Sequence, residues 1–173
     1  MLGTKNLRII PAVGEEVPPE HASGAELVKA LALAKAKEVA GRVGSDALVI
    51  GADTIVWVDG HPFGKPHSEA EAAAMLRRLS GDCHRVYTGV AVLHGGDSLV
   101  EYEESRVWFR ELSDGEIARY IATGEPMDKA GAYGAQGRGA LLVRAIEGDF
   151  FNVMGLPLCR LGQMLKKMGV ELL

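Results

Sequence analysis

Apolar and polar positions change period several times along the chain, and those changes divide it into elements. Three stretches begin with a serine followed three residues later by a glutamate: Ser23 with Glu26, Ser68 with Glu71 and Ser113 with Glu116. In such a pair the serine oxygen accepts from an unpaired amide of the first turn and the glutamate reaches back to the serine's own amide, so each predicts a helix start. The first helix is expected over residues 24–41, with Leu27, Leu31 and Ala34 on one face, and the second from Ser68 to about Leu79, ahead of Gly81. The third is expected over residues 114–122, where Ile117 and Ile121 lie one turn apart. Strand-like runs cover residues 7–10, 47–51, 55–58, 86–93, 99–109 and 140–146, and a last helix is expected over residues 157–168. Strands outnumber helices without strict alternation, which predicts an α/β fold in which helices flank a mixed β-sheet.

Composition narrows the class. At 173 residues the chain suits one domain, residues 1–173, able to bury a core without disulfides or a structural metal. Apolar residues make up 47% and charged residues 24%, a balance that argues against disorder. A net charge of -4 gives no electrostatic reason for stable nucleic-acid or anionic-membrane binding, so an anionic ligand would need a local pocket. No apolar run approaches the roughly 20 residues of a membrane span, and the N-terminus MLGTKNLRII lacks a signal peptide's apolar core. Cys83 and Cys159 stand far apart without ligand-like spacing and read as reduced thiols, making the cytoplasm the expected address.

Three segments carry candidate chemistry. In GADTIVWVDGHPFGKP, residues 51–66, a carboxylate, Asp53, follows an apolar run; Asp59-Gly60 is a hairpin signal, and Lys65 sits between Gly64 and Pro66. The residues alone leave two readings of this acid and base at the ends of a hairpin. Asp53 at the hairpin's root can satisfy backbone amides in a turn with Lys65 solvated, or it can stay ionised beside the lysine and bind a cation or activate water. In DKAGAYGAQGRGA, residues 128–140, Gly131, Gly134, Gly137 and Gly139 allow close backbone approach, and the Gln136 amide offers a donor and an acceptor to a nucleobase edge. Tight packing is the alternative, and neither dinucleotide nor P-loop spacing is present. In IEGDFFNVMGLPL, residues 146–158, Glu147, Asp149, Phe150 and Phe151 precede Asn152 and a helix entry, a pattern that also suits a capped turn. The five histidines show no zinc-site spacing.

The segments GADTIV, GKP, YTGV, DKAGAYGAQG and IEGDFFNVMGLPL, in this order, resemble the motifs of the Maf family of nucleoside triphosphate pyrophosphatases. The resemblance covers nearly the whole chain from Ile9 onward and implies an elongated mixed sheet with helices around a central cleft, as in the related inosine triphosphate pyrophosphatases. It implies that Asp53 positions or deprotonates water and binds a divalent metal cation, Mg²⁺ or Mn²⁺, that Lys65 contacts phosphate, and that Lys35, Thr88, Asp128, Lys129 and Gln136 line the same pocket. Glu15 or Glu16 matches an acidic position of the family. DKAGAYGAQG with NVMGLP resembles the branch acting on dTTP and UTP, which release pyrophosphate and a monophosphate, rather than the branch acting on methylated guanosine triphosphate. As partners it implies a nucleoside triphosphate substrate and allows a homodimer. One motif of the family, an SxSPRR loop that holds triphosphate, has no counterpart before Leu7, and Arg8 in its strand-like run is a poor replacement. From this follows the expectation of an N-terminally shortened, weakly active enzyme, with a catalytically impaired nucleotide-binding or regulatory protein, related to septum formation and cell division, as the alternative.

Overall fold

The computed structural model describes residues 7–44 and 46–172. Its elements in chain order are α1 (Gly24–Val43), β1 (Val49–Val58), β2 (His61–Phe63), α2 (Glu69–Leu79), β3 (Cys83–His94), β4 (Asp97–Phe109), α3 (Asp114–Ile121), β5 (Val143–Glu147), α4 (Phe150–Val153) and α5 (Leu158–Lys167), with three 3₁₀ turns between α3 and β5. The strands form one sheet in the order β2-β1-β3-β4-β5, and every described pairing is antiparallel. The α/β class with helices on both faces is as expected.

Local chemistry explains the helix starts. Ser23 and Ser113 form complete capping boxes with Glu26 and Glu116. Ser68 accepts from the Glu71 amide, but Glu71 turns to the His67 amide at 2.7 Å instead of the amide of Ser68, so the second box is open by one residue. In α1, Leu27 and Leu31 are buried as expected, whereas Ala34 is exposed and Val28, Ala32 and Ala36 complete the buried face.

Three strand expectations change. The runs 47–51 and 55–58 are one continuous strand, β1, because Asp53 pairs with Gly89 of β3 and the backbone never leaves the sheet. Asp53 is therefore in mid-strand rather than at the hairpin root; the hairpin itself pairs only Val56–Val58 with His61–Phe63, through Asp59 and Gly60 at φ 52° and 83°. Residues 7–10 form no strand: Leu7 and Ile9 are exposed, and the following segment is held instead by Glu38, which accepts from the Val13 and Gly14 amides, and by Arg42, which donates to the Pro11 carbonyl. Of the N-terminal stretch MLGTKNLRII, residues 1–6 lie outside the described residues. Residues 137–141 are a 3₁₀ turn, which delays β5 to Val143.

The sheet's two faces bury different helices. On one face Val49, Gly51, Asp53 and Ile55 of β1, with Tyr87, Gly89 and Ala91 of β3, lie under α1. On the other, Val56, Val58, Val86, Val107 and Phe109 pack against α2 and α3, while Val90 and Val92 pack against Leu161, Met164 and Leu165 of α5. Glycine is required where α1 crosses: a Cβ at Gly89 would drive into the Val28 carbonyl and come within 2.8 Å of the Lys29 amide, and one at Gly51 would meet the Ala32 carbonyl at 2.5 Å. No helix of the described residues is long and apolar enough to cross a membrane.

A buried histidine makes the second face sensitive to acid. His84 Nε2 shares a 2.7 Å hydrogen bond with the Tyr133 hydroxyl, its ring stands edge-on to Phe109, and its Nδ1 has no hydrogen-bond partner among the described residues. Burial pushes its pKa from 6.5 down to about 4. The unfolded chain therefore takes up this proton at higher pH than the folded one, so stability from this site is complete above about 6.5 and is lost as pH falls towards 4. The expected loss is on the order of 3 kcal/mol. Urea unfolding across this range should show it in the wild type and not in the double variant His84→Phe/Tyr133→Phe, which removes both polar partners; parallel pH curves for the two would contradict it.

Candidate active site

The β1 edge opens onto a cavity because β2 covers only its last three residues. This cavity, about 610 Å³, is lined by Ala52, Asp53, Thr54 and Val56 of β1 and by Asp128, Lys129, Tyr133 and Gln136 of the glycine-rich segment. Lys35 of α1, Lys65 after β2 and the segment Val153–Gly155 after α4 complete it.

The charged centre is a lysine between two acids. Lys35 Nζ donates to Asp53 Oδ1 at 2.5 Å and pairs with Glu16 Oε1 at 2.8 Å. The alternation of β1 directs Asp53 to the α1 face, and the close seat of α1 at Gly51 and Gly89 brings Lys35 within reach. The Asp53 side chain is only 10% exposed. Burial raises its pKa above 3.8, outweighing the pull of Lys35, whose own pKa is raised because both acids offset its burial. Lys65 has no ion-pair partner among the described residues, and its charge acts on both Asp53 and Asp128. Lys129 pairs with Asp128 at 2.5 Å. The cavity lining thus gathers three ammonium groups, two of them paired with acids, and the carboxylates of Asp53, Glu125 and Asp128.

Of the residues expected there, Lys35, Asp53, Lys65, Asp128, Lys129 and Gln136 are brought together around one cavity. Glu16 reaches it through its ion pair with Lys35, a pairing that Glu15 does not make. Thr88 is placed differently. It is fully buried, its hydroxyl lies 2.9 Å from that of Thr54 and donates to the Asn152 carbonyl at 3.0 Å, so Thr54 and not Thr88 meets the cavity. Asn152 in turn donates to the Val86 carbonyl and Ser105 Oγ, which fastens α4 to the sheet and sets Val153 and Met154 on the cavity wall. Asp149 caps α4 through the Phe151 amide, and Glu147 lies at the surface near Arg106, so these two acids stand outside the cavity.

Glu125 went unnoticed in the sequence, although it lines the cavity. Its signal was the dipeptide Glu125-Pro126 just ahead of the glycine-rich segment, which composition alone gives no reason to single out.

A cation can be held here only in a particular way. No group of three or more His, Cys, Asp or Glu able to hold an ion occurs among the described residues. Asp53 and Glu16, which share Lys35, are the paired oxygen donors on offer. That set suits Mg²⁺, which takes one or two carboxylates and fills its remaining positions with water and substrate phosphate.

Comparison with known proteins agrees with the geometry. The family model described as Maf-like protein matches residues 1–168. A dTTP/UTP pyrophosphatase of Pelotomaculum thermopropionicum is 51% identical over 96% of this chain and 87% of its own length. Proteins of the same name from Symbiobacterium thermophilum and a Geobacillus species are 55% and 50% identical, over 92% and 98% of this chain and 81% and 91% of theirs. With its acid, its lysines and its glycine-rich segment assembled around one cavity, and with these relatives along nearly its full length, the chain belongs to the Maf family.

Proposed function

We propose that this chain is a nucleoside triphosphate pyrophosphatase that hydrolyses dTTP and UTP to the monophosphate and pyrophosphate, acting on the cytoplasmic nucleotide pool. The observation that carries this reading is that Asp53, Lys65 and Gln136 line one cavity, with Lys65 acting on the acid and forming no ion pair among the described residues. The names of the relatives support the choice of nucleotide.

The residues divide the work as follows. Asp53, buried and with its proton affinity raised, holds the attacking water and takes its proton as the bond between the α and β phosphates breaks. Lys65 and Lys129 line the cavity where the triphosphate's negative charge must lie, and they offset it as charge builds on the departing pyrophosphate. Lys35 keeps Asp53 and Glu16 in position and stays protonated between them. Asp53 and Glu16 would hold a divalent cation shared with the phosphates, where it would supply further charge neutralisation. Gln136, whose side chain has no protein hydrogen-bond partner among the described residues, presents its amide to the pyrimidine edge.

Pyrophosphate release from a panel of triphosphates, with and without Mg²⁺ or Mn²⁺, tests this. The expected result is turnover of dTTP and UTP well above GTP, ATP and ITP, abolished by a chelator. A preference for a guanine or inosine nucleotide would sink the pyrimidine assignment.

A further inference from the structure

The glycine-rich segment that carries Gln136 is held by two side chains from outside it, one of which, Glu125, also lines the cavity. Glu125 directs both carboxylate oxygens at its backbone: Oε2 accepts from the Arg138 amide at 3.0 Å and Oε1 from the Gly139 amide at 2.9 Å. The Tyr120 hydroxyl donates to Glu125 Oε1 at 3.0 Å and accepts from the Gly134 amide at 3.2 Å. The clamp therefore grips backbone on both sides of Gln136. Two glycines leave room for it: Gly137 is at φ 65° and a Cβ on it would lie 2.8 Å from Glu125 Oε2, while a Cβ on Gly139 would drive into the Gly134 carbonyl and come within 2.6 Å of the Tyr120 hydroxyl. These glycines allow the segment to close on Glu125 and Tyr120, which accounts for part of its unusual composition.

The geometry points to Glu125 and Tyr120 as positioning residues that set nucleotide selectivity, by fixing where the Gln136 segment stands before substrate arrives. This deepens the function proposed above and rests on that reading for the role of Gln136. Glu125 suits the task because an ionised carboxylate only accepts, so its two oxygens can serve two amides and a hydroxyl at once. Burial works against its ionisation, but the amides of Gly139 and Arg138 and the Tyr120 hydroxyl more than compensate and leave its pKa below the usual carboxylate value. Tyr120 is rigid for a different reason: it is buried in the core beside Ile117 and Ile121 of α3, so the clamp is anchored to a helix and not to another loop. A site preorganised in this way spends less binding energy on ordering its own backbone.

The test is steady-state kinetics of Glu125→Gln, Glu125→Asp and Tyr120→Phe with dTTP, UTP and GTP, together with binding of a non-hydrolysable α,β-methylene dTTP. Tyr120→Phe keeps the buried ring and removes only the hydroxyl, so it remains informative if a Glu125 variant folds poorly. KM for dTTP and the Kd of the analogue should rise roughly tenfold or more in Glu125→Gln and Tyr120→Phe, with kcat within about threefold, because the interaction is made before the transition state. Glu125→Asp, which keeps an acceptor-only group, should fall between, and the preference for dTTP over GTP should narrow in all three. Folded variants with unchanged KM and unchanged preference, or with a loss confined to kcat, would overturn the proposal. If the wild type itself prefers a purine triphosphate, only the pyrimidine reading fails; the clamp is then judged by KM for the preferred nucleotide.

Discussion

Asp53→Asn is expected to lower kcat by roughly 10²–10⁴-fold, the range for a lost general base, while leaving the folded chain at least as stable as the wild type. The combination is what separates a catalytic carboxylate from a structural one. The folded-state pKa of Asp53 is raised above 3.8, with burial as the largest cause. A group raised in this way favours folding most at low pH, where it is protonated in both states, and that contribution is lost as pH rises through its folded pKa. At neutral pH the ionised side chain is therefore carried at a net cost to stability, and asparagine removes the cost while keeping an oxygen for Lys35. Lys35 also retains Glu16 at 2.8 Å, so the substitution does not strand its charge. Turnover and urea midpoints of the two proteins measure both halves. A large drop in the midpoint would make Asp53 a structural partner of Lys35, and near-normal turnover would remove it from the chemistry. In the wild type the same shift should move the acid limb of kcat/KM to higher pH than an unperturbed aspartate would give.

Gly89→Ala is expected to destabilise the fold by about 3 kcal/mol or more, at or beyond the upper end of what an added methyl costs in a packed core. The new Cβ would meet backbone, the Val28 carbonyl and the Lys29 amide at 2.8 Å, and no rotamer change can move backbone aside. Relief requires α1 to lift from the sheet. Since α1 carries Lys35 and β1 carries Asp53, lifting it also opens the 2.5 Å contact at the charged centre, so activity should fall in the fraction that still folds. Gly41 in the same helix provides the contrast. An alanine Cβ there meets nothing within 4 Å, and replacing a helical glycine should stabilise by roughly 0.5–1 kcal/mol. Thermal unfolding of the two variants should move in opposite directions; equal effects would mean that α1 does not bear on the sheet through Gly89.

Much of this protein was legible without coordinates where the controlling forces are local. Serine and glutamate three apart cap α1 and α3 because both partners lie within one turn, and Asp59-Gly60 makes its hairpin because two adjacent residues adopt positive φ. The ordered motifs pointed to the family, and six of the residues they nominated meet at one cavity. Elements that depend on a neighbour were harder to read. Residues 7–10 look like a strand by composition, yet a strand exists only where another backbone pairs with it, and none does so among the described residues. Asp53 looked like the end of a strand because a buried carboxylate interrupts an apolar pattern, but the strand continues, since Lys35 from α1 meets the charge.

The sequence by itself determined where helices start, which residues carry charge and hydrogen-bonding capacity, and which family the motifs resemble, because these reside in residue type and in spacing of a few positions. Only the tertiary structure decided how those groups are used. It turned Thr88 inward to support Thr54, linked Glu16 to Asp53 through Lys35, and joined Glu125 and Tyr120 to the backbone of the segment that holds Gln136. The physical reason is that hydrogen bonds and ion pairs act over a few ångströms, whereas the residues they join here lie far apart along the chain, so their pairing is settled by the packing of α1, α3 and the sheet.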